Sequence, residues 1–181
     1  MADEVILVNQ GNEPIGVGEK IEVHLTGALH RAFSIFTFNS SGELLLQKRA
    51  KTKYHSKSLW SNTCCGHPKP GETINEAAHR RLEEEMGFDC ELRTVFTFLY
   101  KARIDHRFFE HEYDHVLTGL FDGEPILNTS EAEEWMYVDL STLRRDIQKR
   151  PTDYSYWLRL LLMNPEFLSE LSIKIPRSTL T

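Results

Sequence analysis

The chain is poor in cysteine and has no long hydrophobic run. Its three cysteines, Cys64, Cys65 and Cys90, cannot all pair, and joining the adjacent two would need a strained vicinal bridge, so free thiols are expected. The longest apolar stretch, 160–163 with Leu158 before it, falls far short of the roughly 18 residues of a membrane span. No membrane partner is expected. The opening "MADEVILVNQ" starts acidic and holds a single short apolar run, so the marks of a secretory signal are missing and a cytoplasmic location is expected. Net positive charge is lacking too: the formal charge of −6 argues against a nucleic-acid partner, because counterion release needs a basic surface. Internal repeats, low-complexity tracts and a redox Cys-x-x-Cys are also absent.

What is present fits one core. With 181 residues, 40% of them hydrophobic, a single domain over 1–181 is expected, as a monomer or weak homodimer. Strand-like runs occur at 4–8, 32–38, 43–48, 92–103, 110–121 and 133–140, and "NSSG" at 39–42 reads as a hairpin turn. Helical patterns lie at 74–86, at about 141–149 and at 153–171, where Asn164 and Pro165 read as a cap and first turn. Strands and helices mix without regular alternation. The expected fold class is therefore α+β, with a mixed β-sheet core flanked by helices.

Two local features stand out against the acidic whole. "KRAKTKYHSK" gathers Lys48, Arg49, Lys51, Lys53 and Lys57, a charge density suited to an anionic substrate or to a solvated loop. The second is helix 74–86, bounded by a Thr73/Glu76 capping box and by Gly87. Projected at 100° per residue, its apolar stripe of Ile74, Ala77, Ala78 and Leu82 also contains Arg81 and Glu85, whereas Glu83 points away. Charges on a core-facing stripe are costly unless paired, metal-bound or lining a polar cavity, which favours a site. Just ahead of that helix, "NTCCGHPKPGE" sets Cys65 two positions before His67 in a turn rich in glycine and proline. A structural metal, a redox pair and a catalyst are the alternatives for that turn.

Gly66, Glu72, Arg80, Leu82, Glu84, Glu85, Gly87 and Phe88 follow the spacing of the Nudix box, G-x5-E-x7-R-E-U-x-E-E-x-G-U with U apolar. Arg81 departs from it, replacing the glutamate after Arg80. That glutamate belongs to the run with which Nudix hydrolases hold magnesium against a diphosphate, so its loss argues against ordinary pyrophosphate hydrolysis. A box with arginine there, opening inside a Cys-Gly-His triplet, resembles the type I isopentenyl-diphosphate isomerases, whose Nudix-like fold shifts a double bond. The resemblance covers roughly residues 4–165.

That resemblance implies a site. His24, His30, His67, Glu110 and Glu112 match the family's ligands for a divalent ion; mixed nitrogen and oxygen donors suit manganese, zinc or iron better than calcium, and manganese is expected. If 110–113 is a strand, alternation puts both carboxylates on one face and His111 on the other. The remaining histidines, His55, His79, His106, His111 and His115, are read as ordinary surface or core residues. Glu85 matches the position that holds magnesium against the substrate diphosphate, and Lys20, Arg49, Lys53 and Arg81 match the basic positions that hold its free oxygens.

Isopentenyl diphosphate, the implied substrate, carries an unactivated alkene. Moving its double bond requires adding a proton at one carbon, removing one from another and excluding water from the cationic state between. Cys65 and Glu112 match the two catalytic positions, Tyr100 the residue that assists Glu112, and Trp157 the aromatic face for developing positive charge. Cys64 and Cys90 are expected to pack structurally. Two other readings compete: a Nudix hydrolase of a nucleoside diphosphate derivative, and a non-catalytic zinc module built on Cys64, Cys65, His67 and Cys90, whose spacing lacks paired Cys-x2-Cys knuckles.

Overall fold

The computed structural model describes residues 3–174; residues 175–181, most of the terminal "SIKIPRSTLT", lie outside it. β1 (Glu4–Val8) turns back as β2 (Pro14–Glu19), and the chain enters a seven-residue helix, α1 (Lys20–Thr26). β3 (His30–Phe38) and β4 (Leu44–Arg49) form the expected hairpin. Its turn closes because the Asn39 side chain accepts from the backbone N–H groups of Ser41 and Glu43. Two short strands follow, β5 (Trp60–Ser61) and β6 (Cys64–Gly66), and then α2 (Ile74–Met86) with both halves of its capping box formed. Gly87 ends that helix at φ 70°, where an added Cβ would stand 2.4 Å from the Ile126 carbonyl oxygen, so both backbone and space demand glycine.

The long pair β7 (Arg93–Arg103) and β8 (Phe109–Leu120) precedes β9 (Ala132–Val138). Three helices close the described chain: α3 (Leu140–Lys149), α4 (Tyr156–Leu162) and α5 (Pro165–Lys174). The helical stretch expected over 153–171, with a new helix starting at Asn164 and Pro165, is two helices that divide there, where Asn164 Oδ1 accepts from the N–H groups of Glu166 and Phe167. No helix among the described residues is long and apolar enough to cross a membrane.

β3 is the hub of the mixed sheet. β8 runs parallel to it along the whole of one edge, from His30↔Glu112 to Phe38↔Leu120. The other edge is shared in turn by β1 at His30, β6 at 33–35 and β4 at Phe38. Period-two alternation then sorts the core into two layers. Phe33, Ile35, Leu45 and Leu117 face α2, while Phe36, Phe38, Leu44, Leu46 and Val116 face α3, α4 and α5. Sequence patterning missed α1, β2, β5 and β6. β2, "PIGVGE", is mostly exposed and paired only with β1, and the other three elements are too short for a periodic signal.

Candidate active site

The face of β8 that is apolar at Val116 turns acidic toward the strand's start: Glu110, Glu112 and Asp114 follow one another on it, all buried. His111 points the other way, and its Nδ1 meets the Gly27 carbonyl at 2.9 Å. Residues opposed across a strand pair share a face, so the register carries this polarity sideways. Tyr100 opposes Glu112 from β7, His30 opposes it from β3, and Cys65 of β6 opposes Ser34, four residues along β3 from His30. β6 and β8 flank opposite edges of β3. Cys65 and Glu112 therefore come from the two flanks of one strand onto one face, and both line a single cavity of about 220 Å³.

The histidines gather at the same end. His24, His30, His67 and Glu112 present donor atoms that all lie within 4.8 Å of one another. His24 Nδ1 lies 2.6 Å from the Lys20 carbonyl and His30 Nδ1 lies 2.9 Å from that of Ala28. A carbonyl only accepts, so each Nδ1 carries the proton and each Nε2 turns a lone pair inward. His30 Nε2 there faces His67 Nε2 at 3.1 Å and Glu112 Oε1 at 3.6 Å, and His24 Nε2 faces Glu110 Oε2 at 3.4 Å. Converging lone pairs with that carboxylate oxygen left without a hydrogen bond repel one another unless a cation stands among them. The donor set fits a divalent transition ion, and burial suits it further by favouring the neutral rings of His24 and His67. Burial lowers the pKa of His24, and it brings that of His67 down to about 3 against the pull of Glu112. Glu110 stands beside this group of four, joined to it through His24, and no cysteine belongs to the metal-competent groups found among the described residues.

Their surroundings push Glu112 and Cys65 toward opposite protonation states. Burial raises the Glu112 carboxyl, but the His30 and His67 rings set against Oε1 outweigh it and hold Glu112 below the usual range. Tyr100 Oη also donates to Glu112 Oε2 at 2.7 Å. Glu110 goes the other way, pushed well up by burial and by the Glu112 charge. Burial pushes the Cys65 thiol up to about 12 although the Arg49 guanidinium, 4.0 Å from Sγ, opposes it. At neutral pH the sulfur is protonated and the Glu112 carboxylate is not.

The expected basic residues Lys20, Arg49, Lys53 and Arg81 all line the cavity, as do Lys69 and Arg80, which sequence reasoning had not put there. Lys48 instead pairs at the surface with Glu133 and Glu134, and Lys51 and Lys57 are exposed. Each of the four expected cations already has an anionic or aromatic partner. Lys20 pairs with Asp3 at 3.0 Å, Lys53 with Glu131, and Arg81 with Glu84, Glu85 and Glu131. Arg49 lies over the Trp157 ring at 5.2 Å. Trp157 is fixed edge-on, its Nε1 donating to Asn62 Oδ1 at 2.9 Å and Ser61 Oγ at 3.0 Å.

Glu85 is 2% exposed and does not line the cavity; Arg81 takes one of its oxygens and Gln47 Nε2 donates to the other at 2.8 Å. A cation reaching Glu85 from the cavity meets the guanidinium first. Cys64 is packed in the core as expected, and Cys90 is partly buried.

Sequence reasoning missed His55, which is buried with Nε2 at 3.2 Å from Glu110 Oε1, and Tyr54, whose Oη reaches within 3.4 Å of His24 Nε2. It also missed Asp114, which accepts from Ser34 Oγ at 2.8 Å. The pattern of alternate acids at 110, 112 and 114 was the one available signal for Asp114; the irregular loop carrying Tyr54 and His55 gave none.

A NUDIX domain family model matches residues 28–160. The chain is 52% identical over 162 residues to an isopentenyl-diphosphate Delta-isomerase 2 of Aromatoleum aromaticum, covering 90% of this chain and 86% of that protein. An isopentenyl-diphosphate Delta-isomerase 1 of the same organism is 54% identical over 158 residues, covering 87% and 89%. A crystal structure of a Deinococcus radiodurans protein superposes with a TM-score of 0.75 at 19% identity, covering 88% of this chain and 97% of that one, a likeness of fold alone.

Proposed function

The chain belongs to the NUDIX domain family and, within it, to the isopentenyl-diphosphate Delta-isomerases; from that premise we propose how its own residues carry isopentenyl diphosphate to dimethylallyl diphosphate for isoprenoid synthesis. The observation that carries the proposal is the arrangement about β3: a thiol on one flank and a carboxylate on the other, open to one cavity. A hydrocarbon lying across β3 meets both.

Lys20, Arg49, Lys53 and Arg81 release their carboxylate or aromatic partners to bind the diphosphate oxygens, which anchors the alkene end over Cys65 and Glu112. Cys65 Sγ gives its proton to the terminal alkene carbon, whose π electrons form the new C–H bond and leave a tertiary cation. Trp157 faces that charge and excludes water. Glu112 then takes a proton from the carbon next to the diphosphate-bearing one, and the electrons of that C–H bond become the new double bond. The thiolate and carboxylic acid left behind exchange a proton to restore the starting state. Tyr100 donates to Glu112 throughout and keeps one carboxylate oxygen aimed.

Enzymes of this family use divalent metal. His24, His30, His67 and Glu112, with Glu110 beside them, would hold a manganese ion, with zinc or iron as alternatives. Glu85 would receive a magnesium ion arriving with the diphosphate once Arg81 turns to the phosphate oxygens. The bound ions supply charge neutralisation at the diphosphate and a field that sets the acidity of Glu112. This reading needs no nucleic acid or membrane surface, and it places the work in one domain over 1–181, as a cytoplasmic monomer or weak homodimer.

The test is to incubate the protein with isopentenyl diphosphate and magnesium in heavy water and follow the product by NMR. Dimethylallyl diphosphate carrying deuterium is expected. Unchanged, unlabelled substrate rejects the isomerase, and release of inorganic phosphate or a nucleoside monophosphate from nucleotide substrates would favour a hydrolase.

A further inference from the structure

Glu110 is 3% exposed, and its two oxygens have different surroundings. Oε1 lies 3.2 Å from His55 Nε2, whereas Oε2 has no hydrogen-bond partner and faces His24 Nε2 at 3.4 Å. With Oε2 ligating an ion the Glu110 carboxyl is ionised and only accepts, so an imidazole lone pair turned toward Oε1 would be repelled and a ring N–H is required there. His55 is able to supply it, because its Nδ1 has Ser56 Oγ at 3.2 Å, a hydroxyl free to donate in return.

The ring is also held in place. It packs edge-on against Tyr54 at 4.3 Å between centroids, and the His55 carbonyl accepts from Arg49 Nη2 at 3.4 Å. His55 lies outside the donor group of His24, His30, His67 and Glu112, but with His24 and Glu110 it forms a second group whose donor atoms lie within 4.8 Å of one another. It therefore stands one step back from an ion held by the four.

We propose that His55 is a positioning residue of the metal site: its Nε2–H donates to Glu110 Oε1 and aims Oε2 at the ion that His24 helps to hold. The inference rests on the metal-site reading given above. It explains why a carboxylate outside the four-donor cluster is buried with one oxygen satisfied and the other bare. Histidine in this place fixes the direction of a ligand whose strand backbone alone leaves the carboxylate free to rotate.

The chain is stripped of metal and titrated with Mn²⁺, the free ion being read by electron paramagnetic resonance, for the wild type, His55→Ala, His55→Gln and His24→Ala. Thermal melting of each metal-free protein checks folding. His55→Ala is expected to bind Mn²⁺ about 10- to 100-fold more weakly than wild type. His55→Gln, whose amide N–H still donates, recovers most of that loss. Wild-type affinity in His55→Ala overturns the proposal, as does a glutamine variant no tighter than alanine. Loss of one imidazole nitrogen coupling from the pulsed spectrum of His55→Gln overturns it in favour of direct ligation. If wild type binds no more tightly than His24→Ala, the metal-site reading itself has failed and the role of His55 falls with it.

Discussion

Replacing Cys65 with alanine separates chemistry from architecture. The sulfur is shielded at the edge of the Tyr100, Ala102 and Trp157 cluster and its polar contact is Arg49 Nη1 at 4.0 Å, so deleting it removes one packed atom and no strong hydrogen bond. A destabilisation of about 1 kcal/mol and a melting point lower by roughly 2–4 °C are expected for a chain of this size. The thiol's role as proton donor is worth far more: losing a positioned general acid costs about 10²- to 10⁴-fold in rate, or roughly 3–5 kcal/mol of barrier. Because the cations that bind the diphosphate are untouched, the loss falls on kcat and leaves KM nearly unchanged. Serine keeps a donor in the same place but holds its proton more tightly than a thiol, so Cys65→Ser is expected to fold normally and remain impaired. Initial rates of dimethylallyl diphosphate formation by proton NMR, beside a thermal melt, decide the matter. A folded alanine variant within about threefold of wild-type kcat would refute the role, being far inside the loss a general acid entails. An alanine variant that fails to fold would instead favour the zinc-module reading.

Arg81→Met removes the cation paired with the buried Glu85 and leaves it only the neutral donors Gln47 and the Cys64 thiol, so a loss of about 3 kcal/mol in stability and a raised KM for isopentenyl diphosphate are expected, measured by urea unfolding and steady-state kinetics. The pH dependence of the metal-free protein follows from His67, whose folded pKa of about 3 lies below its ordinary 6.5. The unfolded chain binds the extra proton, so this contribution is complete above pH 6.5 and is lost as pH falls toward 3, by about 2 kcal/mol at pH 5. His67→Asn should accordingly flatten the pH dependence of unfolding free energy between pH 4 and 6 by nearly one proton, as checked by denaturant titration across that range. Gly87→Ala meets the Ile126 carbonyl from a left-handed backbone, and a melting-point loss without change in kcat of the folded fraction is expected.

Much of this arrangement was legible beforehand because its signals are local. β1 was expected at 4–8 and α2 at 74–86, and both occur with those bounds, the latter because a capping box and a terminal glycine are sequence-adjacent devices. Arg81 and Glu85 on an apolar stripe raised the expectation of a polar cavity, and Arg81 lines one while Glu85 lies buried behind it. The convergence of Cys65 with Glu112 was not legible from alternation, since it depends on β3 being shared by β6 on one edge and β8 on the other, a pairing between segments far apart in the chain. The family resemblance supplied those positions; the register supplies the physical reason that they share a face. His55, Tyr54 and Gln47 escaped notice for a related cause. Their roles come from what lies across from them in space, Glu110, His24 and Glu85, and neither spacing nor composition encodes that.

The central claim is that one hydrocarbon bridges a thiol and a carboxylate carried on the two edges of β3. A crystal structure of the metal-loaded protein with the saturated isopentyl diphosphate, which binds but has no alkene to react, measures this directly. The account predicts Cys65 Sγ and a Glu112 oxygen each within about 4 Å of a different carbon of the five-carbon chain, close to the separation of groups poised to react. A complex in which both groups approach the same carbon, or in which the diphosphate lies between them and the alkyl chain points away from β3, would contradict it.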